Sequence, residues 1–301
     1  MDGKPTTPTP NHDSTRLRAE NEKLGITHWR VPMRTCLLIL LIAGACGFSG
    51  AVYAKKPRTA AQKPFTEIVN MANHGVAAVV VPAGNSGLGL PIGSAFFVDE
   101  DYLVTNAHVI RDAQRRSGLG WGMYLPVFSE DGDRMVGYQF FGVEVTEVDD
   151  DYDLAILHVT SKPKRVPQPF SLAIGSLPVG TDVALTGFGL SAQFPATVTA
   201  VCASQTSQRF ATEDPTFTQR LAAVTRFSSI FVIDRTIAGG FSGSPVYLRS
   251  TGVVYGIASG TFEDPLGGFG FVHPLKKLSE MLDKHSIRYT KVAPLDSFVN
   301  P

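Results

Sequence analysis

The chain has 301 residues, 44% of them apolar and 18% charged, enough to bury the core of one large domain or two small ones. Basic and acidic residues both number 27, so the formal charge is zero and nothing directs the chain to a nucleic acid. Of the three cysteines, Cys36 and Cys46 sit in an N-terminal apolar segment; the remainder, with Cys202 alone, closes no internal disulfide and must be held by packing.

Residues 1–34 are polar, with prolines and mixed charges, and read as a disordered or spurious extension. An apolar run follows at 35–54, ending Ala51-Val-Tyr-Ala54 before Lys55-Lys56. Small residues at Val52-x-Ala54 suit a signal-peptide cleavage site, and Met33-Arg34 would give the run an ordinary export start. Two other readings stay open, an uncleaved signal anchor and a lipoprotein box at Ala43-Gly-Ala-Cys46. All three put the rest of the chain outside the cytoplasm, periplasmic or secreted, or tethered to the inner membrane through 35–54. Residues 55–69 read as a linker, 70–290 as the folded domain and 291–301 as a tail.

Within the domain, short apolar runs punctuated by glycine and turn residues predict strands. They fall at 76–81, 94–98, 102–105, 143–148, 154–159, 182–186, 197–201, 230–233, 246–248 and 253–259. Arg249-Ser-Thr-Gly252 predicts the turn between the last two. A helix is expected at 275–285, with Leu275, Leu278, Met281 and Leu282 on one face. The class is all-β, a sandwich or barrel closed by a C-terminal helix.

Three motifs stand out: Val104-Thr-Asn-Ala-His108-Val, Asp153-Leu-Ala-Ile-Leu157 and Gly240-Phe-Ser242-Gly-Ser-Pro-Val246. Serine acyl transfer needs a hydroxyl nucleophile, an imidazole base and a carboxylate that orients the base. His108 follows an apolar strand, Asp153 opens one, and the glycines around Ser242 allow a sharp turn that aims the Gly240 and Ser242 amides at one spot. The order His, Asp, Ser is that of chymotrypsin-like double β-barrels; an α/β hydrolase would have Ser, Asp, His. Of the other histidines, His12 and His28 fall in the N-terminal extension, and His74, His158, His273 and His285 have no partner motif. The run Asp149-Asp-Asp151 reads as a solvated turn, with a cation site as the lesser alternative. The chemistry calls for no cofactor and no metal.

On these stretches, together with Gly93-Ser-Ala-Phe-Phe-Val98, Val179–Leu190 and Gly268-Phe-Gly-Phe-Val-His-Pro274, the chain resembles trypsin-like serine proteases, and among them the HtrA/Deg-type bacterial branch. The resemblance runs from about 70 to 285 and implies a chymotrypsin-like double β-barrel acting on protein or peptide substrates. It assigns His108, Asp153 and Ser242 as the triad and the Gly240 and Ser242 amides as the oxyanion hole. Thr236, Ile237 and Ala238 would wall the specificity pocket. The strand through Gly256-Ile-Ala-Ser259, continuing to Gly260 and Thr261, would pair with substrate backbone.

Three departures shape the expectation. Phe241 stands where the family has Asn or Asp, and either disturbs the oxyanion loop or forms a substrate wall. The pocket loop has no acid, and Ala258 replaces the histidine of glutamyl endopeptidases. Small or medium apolar side chains are therefore expected before the scissile bond. The chain ends at Pro301, short of a PDZ module. The alternative is a binding scaffold of the same fold whose catalysis has lapsed, which Phe241 alone favours. The segment 204–219 is expected to be a mobile active-site loop.

Overall fold

A computed structural model of the chain describes residues 63–83, 89–116, 120–130, 132, 134–207, 229–264 and 267–295. Helix α1 (Phe65–Gly75) leads into a seven-stranded sheet with order β5-β4-β1-β2-β3-β7-β6. Its strands are β1 (Val76–Pro82), β2 (Gly89–Asp99), β3 (Tyr102–Thr105), β4 (Gly122–Phe128), β5 (Met135–Phe141), β6 (Val143–Asp149) and β7 (Leu154–Val159). Helix α2 (Ala107–Arg116) lies between β3 and β4. The neighbouring strands pair antiparallel.

The second sheet has order β12-β9-β10-β11-β14-β13-β8-β15. It comprises β8 (Ser171–Ala173), β9 (Asp182–Gly187), β10 (Ala196–Ser207), β11 (Ser229–Ile233), β12 (Pro245–Leu248), β13 (Val254–Asp264), β14 (Gly267–Pro274) and β15 (Thr290–Val292). Pairing of β12 with β13 closes six of these strands into a barrel. Helix α3 (Lys276–Lys284) follows β14 and buries Leu278, Met281 and Leu282. The molecule has the expected double-barrel, all-β architecture with its C-terminal helix.

Strand alternation explains why so many runs are apolar without a break. In β1, Ala77, Val79 and Val81 point into the first barrel, while Val76, Ala78 and Val80 point into a second core shared with the other barrel. In β9, Val183 and Leu185 fill the second barrel while Ala184 joins the shared core. A strand buried on both faces loses its polar alternation.

Several elements depart from expectation. Helices α1 and α2 add to the one predicted, and α1 begins inside the stretch read as a linker. Strands β4, β5, β8, β14 and β15 were not anticipated. The predicted turn is present: Gly252 N–H donates to Leu248 O at 2.9 Å, with Gly252 at φ 75°. Of the expected loop at 204–219, Ser204–Ser207 belong to β10 and the rest lies outside the described residues. The run 35–54 lies outside them too; among the described residues no helix is long and apolar enough to cross a membrane.

Candidate active site

Asp153 ends the turn between β6 and β7 with φ 50°, a left-handed conformation that aspartate tolerates better than most residues. Only 3% exposed, it needs donors. His108 supplies two: its backbone N–H reaches Oδ1 at 2.9 Å, and its ring Nδ1 lies 3.0 and 2.9 Å from Oδ1 and Oδ2. The Ser259 hydroxyl donates to Oδ2 at 2.9 Å, and His273 Nε2 lies 3.4 Å from the same oxygen. Burial alone would raise the Asp153 pKa; the His108 and His273 contacts more than offset it and hold the carboxyl well below the ordinary aspartate range.

His108 stands in the first turn of α2, directly after the apolar strand β3. The amides at a helix start lack intrahelical acceptors, and the Asp153 carboxylate caps this one. Buried Asn106 braces the same corner by donating to Asp153 O at 3.0 Å. The His108 side chain is 44% exposed, so the ring is held at one end and open at the other.

Ser242 follows a tight turn. Phe241 N–H donates to Ala238 O at 3.2 Å and Gly240 has φ 94°, the pattern of a type II turn with glycine at its third position. The Gly239 carbonyl accepts from Leu190 N–H at 2.6 Å. Because a trans peptide sets C=O and N–H on opposite sides, the Gly240 N–H faces away from Leu190. Likewise the Phe241 carbonyl accepts from Ser244 N–H at 2.9 Å, directing the Ser242 N–H the other way. The first barrel holds this loop through Ser94, whose N–H donates to Ser242 O at 2.8 Å and whose hydroxyl donates to Gly240 O at 2.8 Å. The Ser242 hydroxyl itself donates to the Ser259 carbonyl at 2.8 Å.

Phe241 is 6% exposed and belongs to the core of the second barrel. Its ring lies on Gly189, where any Cβ would collide with it. It is therefore no substrate wall, and the turn around it keeps its hydrogen bonds.

The expected pocket residues divide. Thr236 is exposed and Ala238 half-buried, whereas Ile237 is 4% exposed and packs on Gly270 inside the second barrel. Ser259 sits at a bulge between the pairs Ala258–Val272 and Gly260–Phe271. Gly260 has open space beside it, and Thr261 donates its hydroxyl to Phe269 O at 3.0 Å.

Asp149–Asp151 form no cation site. Asp149 accepts the N–H groups of Asp151 and Tyr152 and pairs with Lys277, and Asp150 takes a two-point contact from Arg111. Among the described residues no cluster of metal-ligating side chains occurs. Of the other histidines, His12 and His28 lie outside the described residues; Arg165 meets His74, Glu144 meets His158, Glu147 meets His285 and Asp153 meets His273. The donor shell that Ser259 and His273 give Asp153 was not read from the sequence, because both lie more than a hundred positions away in the other barrel.

Residues 93–257 match the family model of the trypsin-like peptidase domain. The chain belongs to that family and is a serine endopeptidase. Solved structures share its fold. The Rv3671c protease from M. tuberculosis in its active form is 22% identical over 80% of this chain and 96% of that one, with a TM-score of 0.51. The HtrA-type protease AlgW with a tripeptide is 19% identical over 75% of this chain and 64% of that one, at 0.52. The serine endoprotease from Yersinia pestis is 18% identical, over 74% and 66%, at 0.50. No curated protein sequence matches.

Proposed function

We propose that this is an exported endopeptidase in which Ser242 is the nucleophile, His108 the general base and Asp153 the residue that orients it. The observation that carries the reading is the linkage through Ser259: its carbonyl holds the Ser242 hydroxyl, and its own hydroxyl holds the carboxylate that holds His108. Nδ1 of His108 is committed to Asp153, which leaves Nε2 for proton transfer.

In the first half-reaction, Nε2 of His108 takes the Ser242 proton as Oγ bonds to the substrate carbonyl carbon. The oxyanion is met by the Gly240 and Ser242 N–H groups, each worth on the order of 10²-fold in rate. His108 then protonates the leaving amine as the C–N bond breaks, giving an acyl-enzyme. Water, deprotonated by His108, attacks the ester; the proton returns to Ser242 as the acid leaves.

Thr236 and Ala238 bring no charge to the pocket and Ile237 is buried behind them, which favours small or medium apolar side chains before the scissile bond. A peptide library showing strong Arg, Lys or Glu preference there would overturn that specificity. Residues 35–54 would direct export, with cleavage after Ala54; N-terminal sequencing of the mature protein would read Lys55 first, and a start well before it would end the cleavage proposal.

The test of the chemistry is intact-mass analysis after treatment with a small fluorophosphonate, beside Ser242→Ala. One adduct, lost in the variant, is expected. An adduct retained by Ser242→Ala, or none in either protein, would reject the assignment.

A further inference from the structure

Along β14 the side chains alternate: Val272 fills the second barrel, and Phe271 faces the core shared by the two barrels. His273 falls on the Phe271 side by the same period of two and is wholly buried. Pro274 next to it keeps His273 in extended backbone. An imidazole in an apolar core is costly unless something polar meets it. What meets it is the Asp153 carboxylate, 3.4 Å from Nε2. This is long for a hydrogen bond and short enough for direct electrostatic contact. The oxygen concerned, Oδ2, also holds the His108 ring.

We propose that His273 is a positioning residue for Asp153, a second imidazole set against the carboxylate that orients His108. The inference rests on the triad reading above. With its proton on Nε2, the ring turns the positive end of its N–H dipole towards Oδ2 across 3.4 Å and draws on the charge that also acts on His108. Among the described residues, the neighbouring charged groups have partners of their own. Asp150, in the same turn, interacts with Asp153 and is paired with Arg111. Lys277 of α3 is taken up by Asp149 and the Tyr152 ring. Ser259 is a donor that does not titrate in the working range.

The experiment compares the full chain with His273→Leu, which fills the space without a donor, and His273→Gln, which restores one. Removing the donor leaves more negative charge acting on His108 and stabilises its imidazolium. The acid limb of kcat/KM should then move to higher pH by roughly half a unit to one unit in His273→Leu, with the plateau several-fold lower and KM unchanged. His273→Gln should bring the limb most of the way back. A lower plateau with an unmoved limb would mean that His273 merely fills space, and would overturn the proposal.

Two readings by NMR need no turnover. In a Ser242→Ala background, the low-field proton shared by His108 and Asp153 should shift on adding His273→Leu. In the unmodified chain, ¹⁵N shifts should show His273 protonated on Nε2; protonation on Nδ1 alone would overturn the proposal even if neither variant folds. Should the shared proton respond while fluorophosphonate leaves Ser242 untouched, the hydrolytic assignment fails and the positioning role stands. A chain that is labelled but whose limb and shared proton ignore His273 has the reverse outcome.

Discussion

The Ser242 hydroxyl donates to the Ser259 carbonyl at 2.8 Å, so the proton that His108 would remove in the proposed mechanism is directed at the backbone of the strand on which substrate would lie. A hydroxyl has one proton to donate. In that mechanism the proton has to turn towards His108 before attack, and a substrate N–H placed on the Ser259 carbonyl would displace it. Pairing with the strand would then activate the nucleophile as well as supply affinity.

A peptidyl phosphonate and its analogue N-methylated at the amide next to the phosphorus should separate these effects. Loss of the N–H is expected to lower the maximal inactivation rate by about tenfold, the worth of one hydrogen bond of about 1.4 kcal/mol. An effect confined to affinity, with the maximal rate preserved, would show that the Ser242–Ser259 contact does not restrain the nucleophile.

Ser94 joins the barrels at the same place. Its hydroxyl donates to Gly240 O at 2.8 Å and accepts the buried Phe188 N–H at 2.9 Å. Ser94→Ala leaves both backbone groups without this partner, at a cost of about 1–3 kcal/mol in unfolding free energy. The Gly240 peptide also loses an anchor, so kcat should fall with KM little changed. Urea unfolding and steady-state kinetics check both halves, and a stable variant with unaltered kcat would remove Ser94 from the oxyanion loop's support.

The legible parts of the fold were the strands that face two cores. Leu154–Val159 and Tyr102–Thr105 were read to the residue, because runs such as Leu-Ala-Ile-Leu carry little polar interruption. Strand β14 was missed because glycines at 267, 268 and 270 weaken every strand signal. Helix α2 was missed for a different reason. Val109 and Ile110 look strand-like, and the group that caps His108 is the Asp153 side chain, 45 positions on. The motifs around His108, Asp153 and Ser242 are visible because each sits on a local sequence pattern. The contacts of Ser259 and His273 with Asp153 are made by pairing across barrels, and no local pattern announces them.

Phe241 bears on stability more than on the cleft. Phe241→Asn, which restores the residue type usual in the family, would empty a core position beside Gly189 and bury an amide there. A loss of about 3–5 kcal/mol is expected, as for other large-to-small changes in a packed core. Gly189→Ala should be destabilising too, since its Cβ would meet the Phe241 ring. Denaturant midpoints of the two variants test this; an Asn variant as stable as the parent would show that the ring is dispensable to the second barrel.

Asp153 should make the fold acid-sensitive in a defined direction. Burial works against its charged form, and the His108 and His273 contacts outweigh burial, so its pKa in the folded state lies below the ordinary value of 3.8. A lowered folded-state pKa means that the unfolded chain binds the proton more readily. The stabilisation is therefore complete above the ordinary aspartate range and is lost as pH falls below it towards the folded value. Asp153→Asn cannot titrate and should lack this component. Below about pH 5 the stability gap between parent and variant should close by up to roughly 1.4 kcal/mol for each pH unit below the ordinary value. Urea unfolding at stepped pH measures the gap directly. A gap that stayed constant down to pH 3 would mean that Asp153 gains nothing from its partners in the folded state. At neutral pH the same variant should lose about 10⁴-fold in kcat, because an amide in place of the carboxylate favours the wrong His108 tautomer.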